Sequence, residues 1–247
     1  MVEQAAAFFG ELYGKSHLTS ARRYPHDEMM RFIGRNFFRY RADDTFFNFD
    51  RPERKLIRIL EVGCGTGSNL WAIAKEGFSA YGLDISPSAL EFCKKTLAMW
   101  SVDAELSVGD MRKLTYPAEF FDGIVDIYSS YCLRQAEFDE FLSDVHRTLK
   151  PGGKFFCWNP SDRSEAFTNH APARIIEPYT LDGIKRTTSP FFGNNYPFRF
   201  LTPETAKSSL AKAGLDLIEV ERNGRTFQQT AEYFEWLSVT AVKPVAR

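Results

Sequence analysis

The sequence predicts an α/β fold, a mostly parallel sheet with helices on both faces. Three observations carry this. Short apolar, β-branched runs alternate with helix-spaced runs from residue 56 onward, and parallel strands need such crossover connections. The helix-spaced runs start and stop at Pro and Gly. The 247 residues are 44% hydrophobic, enough for a sizeable core.

The elements follow in order. Residues 1–50 read as helical and aromatic, with Phe8, Phe9, Leu12 and Tyr13 at helix spacing, then Met30, Ile33, Gly34 and Phe37 after Pro25. Asp50 to Lys55 is a charged connection. Leu56 to Val62 fits a buried strand. Thr66 to Glu76 reads as a helix with Gly77 at its end, and Phe78 to Leu83 as the second strand. Ser86-Pro87 opens a helix striped by Leu90, Cys93, Leu97 and Trp100. Ala104 to Val108 and Phe121 to Ile127 are strands three and four. Phe138, Phe141, Leu142, Val145 and Leu149 mark a helix that stops at Pro151-Gly152-Gly153, and Lys154 to Trp158 is strand five. A long irregular segment, 159–201, follows. Thr202-Pro203-Glu204 opens the last helix and Gly214 ends it. Leu215 to Glu221 and Trp236 to Val242 are the last strands, with no convincing crossover helix between them, so the final strand should run antiparallel.

Composition excludes several function classes. Lys+Arg number 31 and Asp+Glu 32, a net charge of −1, which supplies no global basic excess for phosphate neutralisation. No nucleic-acid partner is expected. No apolar run approaches the ~18 residues of a spanning helix, and Met1 to Gly10 lacks a basic n-region, so neither membrane nor signal peptide is expected. The four cysteines, Cys64, Cys93, Cys132 and Cys157, include no CxxC pair. No metal site or disulfide framework is therefore expected, and the chain reads as cytoplasmic with reduced thiols. The 23 Phe residues are in excess, and they concentrate before residue 50 and around the 159–201 segment.

The strongest motif is Glu61-Val62-Gly63-Cys64-Gly65-Thr66-Gly67, between a strand and a helix. Glycines permit positive φ and close approach of backbone to a ligand. The dinucleotide fingerprint is G-x-G-x-x-G, whereas here the third glycine comes one residue early. Glu61, beside the loop, is poor company for a pyrophosphate and suits a cationic ligand end. Asp84, with Ile85 after it, ends the second strand, where a carboxylate can accept ribose hydroxyls. Gly109-Asp110-Met111 follows the third strand. There Asp110 can take an exocyclic amine and Met111 the ring face of an adenine. Phe121 to Asp126 then leads into Tyr128 to Tyr131. Asp122 reads as structural, and Gly152-Gly153 as a turn.

These segments, EVGCGTG, YGLDIS, VGDM, FDGIVD and LKPGG in that order, resemble the class I S-adenosylmethionine-dependent methyltransferases. The resemblance implies a Rossmann-like, doubly wound, seven-stranded sheet of order 3-2-1-4-5-7-6 with strand seven antiparallel. It implies S-adenosylmethionine as cofactor, with Gly63, Cys64, Gly65 and Gly67 against its methionine part. Asp84 and Ile85 would lie at the ribose, Asp110 and Met111 at the adenine, and residues around Asp126 beside the methyl group. Glu61 would orient the loop or reach the amino group. By the same resemblance, the Arg22-Arg23-Tyr24-Pro25 segment would fold over the cofactor's mouth, with Tyr24 in contact.

The domain reading is a helical cap, 1–50, on a methyltransferase domain, 51–247, with 159–201 as a substrate-side insertion. Methyl transfer from a sulfonium needs in-line positioning and water exclusion, and a base where the acceptor is a hydroxyl. His17, His26, His170 and Tyr131 are the candidates for that role, while His146 reads as structural. The insertion carries Phe191, Phe192, Tyr196, Phe198 and Phe200 with Arg174, Lys185, Arg186 and Arg199 interspersed, which reads either as a cap packed on its own aromatics or as a partly apolar pocket with a positive lip, Arg186 and Arg199 foremost, for an acidic or phosphorylated small molecule. The expected activity is methylation of an oxygen or nitrogen of a small molecule, such as a sugar or acidic intermediate. No Asn-Pro-Pro-Tyr-type tetrapeptide follows strand four, where Asp126-Ile127-Tyr128-Ser129 stands, which weakens methylation of planar nitrogens. A methyltransferase acting on protein or nucleic acid, and a non-catalytic binding protein of the same fold, are the alternatives.

Overall fold

Near-continuous burial along the central strands, whose side chains point alternately to the two faces, builds two apolar layers around one sheet. The computed structural model describes residues 22–38 and 52–245, with Gln4, Ala7, Phe8 and Glu11. Its elements are α1 (Asp27–Phe37), β1 (Arg58–Val62), α2 (Leu70–Lys75), β2 (Ser79–Asp84), α3 (Pro87–Met99) and β3 (Glu105–Val108). Then come β4 (Phe121–Ile127), α4 (Gln135–Thr148), β5 (Leu149–Pro160), α5 (Glu165–Thr168), and short strands β6 (Ile175–Glu177), β7 (Thr180–Leu181) and β8 (Phe198–Arg199). The last three are α6 (Pro203–Ala213), β9 (Asp216–Phe227) and β10 (Glu232–Val242).

The main sheet has the order β3-β2-β1-β4-β5-β10-β9. The first five strands pair in parallel, and β10 runs antiparallel between β5 and β9. This is the order 3-2-1-4-5-7-6 once the insertion's three short strands are set aside. Period-two alternation sends neighbours to opposite faces. Ile59, Val125 and Phe156 join the layer under α1, α2 and α3, and Leu60, Ile124 and Phe155 join the layer under α4 and α6.

Caps fall where the sequence placed them. The Ser86 hydroxyl accepts from the Ala89 N–H at 3.3 Å, the Thr202 hydroxyl from Thr205 at 3.0 Å, and Gly214 takes φ +80°. The helix after β1 is shorter than expected: α2 starts at Leu70, because the positive φ values of Gly65 and Gly67 deny helix to residues before it. The insertion is less irregular than expected. It folds into α5 and the β6-β7-β8 sheet, with a bridge between Ser161 and Leu201 at its base. Strands of two or three residues have too little periodicity to be read from sequence.

α1 buries Met29, Phe32 and Ile33. Phe32 stacks on Phe156 at 4.9 Å, which seats the helix on the face of β5. Among the described residues no helix is long and apolar enough to cross a membrane.

Candidate cofactor and acceptor site

The glycine loop is shaped by what surrounds it. Gly63, Gly65 and Gly67 take φ of +64°, +52° and +81°. A Cβ on Gly63 would stand 2.3 Å from the Ser129 Cβ, and one on Gly67 2.6 Å from the Cys93 Sγ. These two glycines let the loop close onto the β4 turn and onto α3. The Cys64 N–H donates to the Leu83 carbonyl at 3.1 Å, tying the loop to β2.

Two carboxylates flank the loop. Asp84 accepts the Gly65 N–H on Oδ2 and the Ser86 N–H on Oδ1, both at 2.8 Å. Burial raises its pKa, against those backbone hydrogen bonds. Each oxygen retains a lone pair, so the group can accept two further hydroxyl donors. Ile85, half-buried, follows it. Glu61 is 2% exposed. Its Oε1 accepts from Asn69 Nδ2 at 2.6 Å, while Oε2 is buried with no hydrogen-bond partner among the described residues. Burial pushes its carboxyl up to about 8, against the pull of Asn69 and Arg22. An acceptor in this state favours a cationic donor. The Glu61 orphan oxygen, the Asp84 lone pairs and the positive-φ loop suit the amino group, ribose and methionine part of S-adenosylmethionine.

Asp110 and Asp126 are more engaged than expected. Asp110 accepts from the Arg112 backbone N–H at 2.9 Å, and from Nε and Nη2 of the same guanidinium at 3.0 and 2.6 Å. Burial works upward, but Arg112 prevails and holds the carboxyl below its usual range. Met111 is half-buried against the α4-side layer. Asp126 is fully buried and accepts from the N–H groups of Ser129 and Ser130 at 3.1 and 3.0 Å, from the Ser130 hydroxyl, and from Asn159 Nδ2 at 3.2 Å. It shapes the turn after β4. That turn presents Tyr128, whose φ is +59°.

A cavity of about 530 Å³ opens at the carboxyl ends of β4 and β5, where open α/β sheets bind ligands. Tyr128, Trp158, Trp236, Phe191 and Phe227 line it, under a strap of residues 22–27. The strap is held at its start, where the Trp71 indole N–H donates to the Arg23 carbonyl at 3.1 Å and the Arg22 guanidinium lies 5.9 Å from the centre of the Tyr128 ring. The His26 N–H donates to Asn69 Oδ1 at 2.8 Å. Asn69 therefore links the cavity wall to Glu61.

The remaining candidates separate. His26 lines the cavity, 4.6 Å from Trp158 between ring centres. Its Nδ1 accepts from the Glu28 N–H at 3.3 Å, capping α1. Burial, then the Arg22 charge, lower its pKa to about 4. Tyr24 stands at the cavity mouth, mostly exposed. The Tyr131 hydroxyl is buried and bonds to that of Tyr196 at 2.8 Å. Burial pushes its pKa well up, which disfavours a role as base. His170 Nδ1 lies 2.9 Å from the Phe167 carbonyl, away from the residues that line the cavity. His17 lies outside the described residues, as do Phe9, Leu12 and Tyr13.

The expected positive lip is not at Arg186 and Arg199. Arg199 is 2% exposed, 3.8 Å from the centre of the Phe138 ring, and donates to the Leu133 and Ser130 carbonyls at 3.1 Å each. Arg186 is engaged by the buried Glu232 at 2.7 Å. Among the described residues, the cations lining the cavity are Arg22, Arg23 and Arg225. Trp158, Trp236, Phe227 and Arg225 were missed in the sequence, although one signal was present. In the order 5-7-6, a Trp ending strand five neighbours a Trp beginning strand seven.

Comparison with known proteins agrees with this geometry. Residues 59–153 match the family model described as a methyltransferase domain. The chain is 35% identical over 100 residues to a fatty-acid O-methyltransferase of Mycolicibacterium smegmatis, covering 40% of this chain and 35% of that one. It is 35% identical over 123 residues to a demethylmenaquinone methyltransferase of Tropheryma whipplei, covering 49% and 45%. A ubiquinone biosynthesis O-methyltransferase of Brucella anthropi is 27% identical over 176 residues, 71% of this chain and 66% of that one. The match thus spans less than half the length of the first two relatives. Among solved structures, a protein from a study of disulfide-to-thioacetal conversion in echinomycin biosynthesis aligns with TM-score 0.68 at 17% identity, over 98% of this chain and 94% of that one. A Pyrococcus horikoshii protein aligns with TM-score 0.66 at 19% identity, over 94% and 98%. The sheet order, the ordered motifs and the family match thus agree on residues 59–153 as a methyltransferase domain, similar to the class I S-adenosylmethionine-dependent methyltransferases.

Proposed function

We propose that this protein transfers a methyl group from S-adenosylmethionine to an oxygen or nitrogen of a small molecule seated in the Tyr128–Trp158–Trp236 cavity. The carrying observation is the placement of that cavity. It opens at the carboxyl ends of β4 and β5, and Asn69 joins its wall to the Glu61 carboxylate beside the glycine loop. Its size suits a small molecule. In this reading, Glu61 holds the cofactor's ammonium, Asp84 its ribose hydroxyls, and the loop from Gly63 to Gly67 its methionine part. Met111 and Asp110 lie towards the adenine.

When bound, the cofactor supplies an activated methyl group on a positively charged sulfur. The chain's own part is to orient the acceptor and exclude water. The aromatic walls and the 22–27 strap do this. His26 is the candidate group beside the acceptor, and its depressed pKa keeps it neutral at pH 7. The proposed division is a cap at 1–50 and a methyltransferase domain at 51–247, with 159–201 closing the acceptor side. The proposed setting is cytoplasmic. Acidic biosynthetic intermediates fit the cavity's cations better than neutral sugars do.

Isothermal titration with S-adenosylmethionine and S-adenosylhomocysteine tests the reading. Micromolar binding, lost in Asp84→Ala, is expected. Absence of binding by the wild-type chain overturns it in favour of a non-catalytic protein of this fold.

A further inference from the structure

Asn69 stands where three parts of the molecule meet. It is 3% exposed and sits at the N-cap of α2, just past the glycine loop. Its two amide atoms face different elements. Nδ2 donates to Glu61 Oε1 at 2.6 Å, and Oδ1 accepts the His26 N–H at 2.8 Å. The amide cannot be turned round. The His26 N–H only donates, so Oδ1 must face it, and Nδ2 is left for the carboxylate. Two residues on, the Trp71 backbone N–H donates to the Gly67 carbonyl and its indole N–H to the Arg23 carbonyl, each at 3.1 Å. The Trp71 ring lies flat on Trp100, 3.9 Å between centres, which fixes it. The start of α2 thus carries the end of the loop and holds the strap at Arg23 and at His26.

The two holds differ in kind. The Arg23 contact is exposed and does not touch the glycine loop's carboxylates. The His26 contact is buried and passes through Asn69 to Glu61, whose Oε2 has no partner among the described residues. Burial keeps a proton on Glu61 at neutral pH, with Arg22, Asp84 and Asp126 the charges that face it. A cationic amine at Oε2 takes the place of that proton, which leaves to solvent. Glu61 is then a carboxylate, and hydrogen bonds to a charged acceptor are roughly twice as strong as neutral ones. Asn69 Nδ2 is drawn to it, and polarisation along the chain of bonds strengthens the one from His26 to Oδ1. We propose that Asn69 is a positioning residue that couples the ammonium end of the cofactor to closure of the 22–27 strap over the acceptor cavity. The amide relays the occupancy of Glu61 to His26, whose ring centre lies 4.6 Å from that of Trp158 in the cavity wall. The strap is held most firmly when an amine is in place, so the acceptor meets a cavity that the cofactor has finished. This assignment rests on the methyltransferase reading and deepens it.

Hydrogen exchange of the His26 amide, read by heteronuclear NMR on the intact protein, tests the coupling. Two probes are compared, each at saturation. S-Adenosylhomocysteine carries the amino-acid end, whereas methylthioadenosine shares its adenine and ribose but lacks the ammonium. S-Adenosylhomocysteine should slow His26 exchange about tenfold, and methylthioadenosine should leave it unchanged. Asn69→Leu keeps the bulk and removes both bonds. In that variant S-adenosylhomocysteine should bind about tenfold more weakly, by the reciprocity of coupling, and its effect on His26 exchange should vanish. A purely structural Asn69 would lower protection equally with and without ligand and leave the ligand's effect intact. Equal slowing by both probes overturns the proposal, as does a folded Asn69→Leu protein in which S-adenosylhomocysteine still slows His26. The comparison of probes needs no variant, so it decides the matter even where Asn69→Leu does not fold. S-Adenosylhomocysteine binding to the wild type with no slowing at His26 sinks only the coupling. Its failure to bind the wild type sinks the methyltransferase reading and the coupling with it.

Discussion

The backbone N–H of Gly65 donates to Oδ2 of Asp84 across 2.8 Å, so the carboxylate that ends β2 holds the turn that follows β1. Its other oxygen accepts the Ser86 N–H at the same distance. Asp84→Asn keeps one acceptor and turns the other into a donor facing an N–H group. It should cost about 1–2 kcal/mol in chemical denaturation. S-Adenosylhomocysteine affinity should fall about tenfold or more by calorimetry, because the anchor of the loop and the proposed ribose acceptor are lost together. An Asp84→Asn protein that binds as tightly as wild type excludes Asp84 from the cofactor site.

Glu61 makes stability depend on pH. Its pKa rises from an ordinary 4.5 to about 8, mainly through burial. Between those values the folded chain keeps a proton that the unfolded chain has released. The contribution is full below about pH 4.5 and lost as pH rises to about 8, a swing on the order of 5 kcal/mol. Glu61→Gln removes the titration, so its thermal stability relative to wild type should climb between pH 5 and pH 8. Binding of a cationic amine should ionise Glu61 and release about 0.9 proton near pH 7. Calorimetry in buffers of different ionisation enthalpy reads that number.

His26 acts in the opposite direction. Burial, then Arg22, take its pKa from 6.5 to about 4. The unfolded chain therefore binds a proton first, and stability present above pH 6.5 is lost as pH falls towards 4, by about 3 kcal/mol. His26→Asn keeps a cap for α1 and cannot titrate. Its unfolding midpoint should vary less than that of wild type between pH 4 and pH 6.5. An equal acid sensitivity would show that His26 is not the group responsible.

The glycine loop and strand-end acids of the proposed cofactor site were legible as local structure, because their parts are close in sequence. Glycines at 63, 65 and 67 and acids at strand ends carry their meaning within a few residues of chain. The acceptor half was not. Trp158 and Trp236 stand 78 residues apart in sequence and meet only because β10 inserts antiparallel beside β5. Charge was the poorest guide. Arg186 and Arg199 looked like a lip in sequence, yet Glu232, from β10, engages one and the Phe138 face the other. Asp110 was placed correctly at the end of β3, but nothing in VGDM shows that Arg112, two residues on, folds back onto its carboxylate.

Arg199 belongs to the core. Burial lowers its pKa to about 10, so it remains charged at neutral pH. Arg199→Met removes the donors that serve the Leu133 and Ser130 carbonyls. The loss should be about 3 kcal/mol, the range for leaving buried partners unpaired. Acceptor KM should stay unchanged wherever the variant remains folded. A raised KM with unaltered stability would return Arg199 to the acceptor site.

Gly63 tests how the cofactor loop and the acceptor turn are joined. Its φ of +64° strains any other residue, and an added Cβ would fall 2.3 Å from the Ser129 Cβ. The Ser129 hydroxyl is itself fixed, 2.7 Å from the Val62 carbonyl and 2.8 Å from Asp126 Oδ1. The turn after β4 therefore cannot retreat without breaking its own bonds. Gly63→Ala should cost about 3 kcal/mol, the sum of backbone strain and overpacking. Ser129→Gly alone should cost about 1 kcal/mol through its lost hydrogen bonds. Combined, the two should cost less than their sum, because removing the Ser129 Cβ relieves the clash. A double-mutant cycle in chemical denaturation measures the coupling. Strict additivity would mean that the strain of φ alone, and not contact with the β4 turn, is what requires glycine at 63.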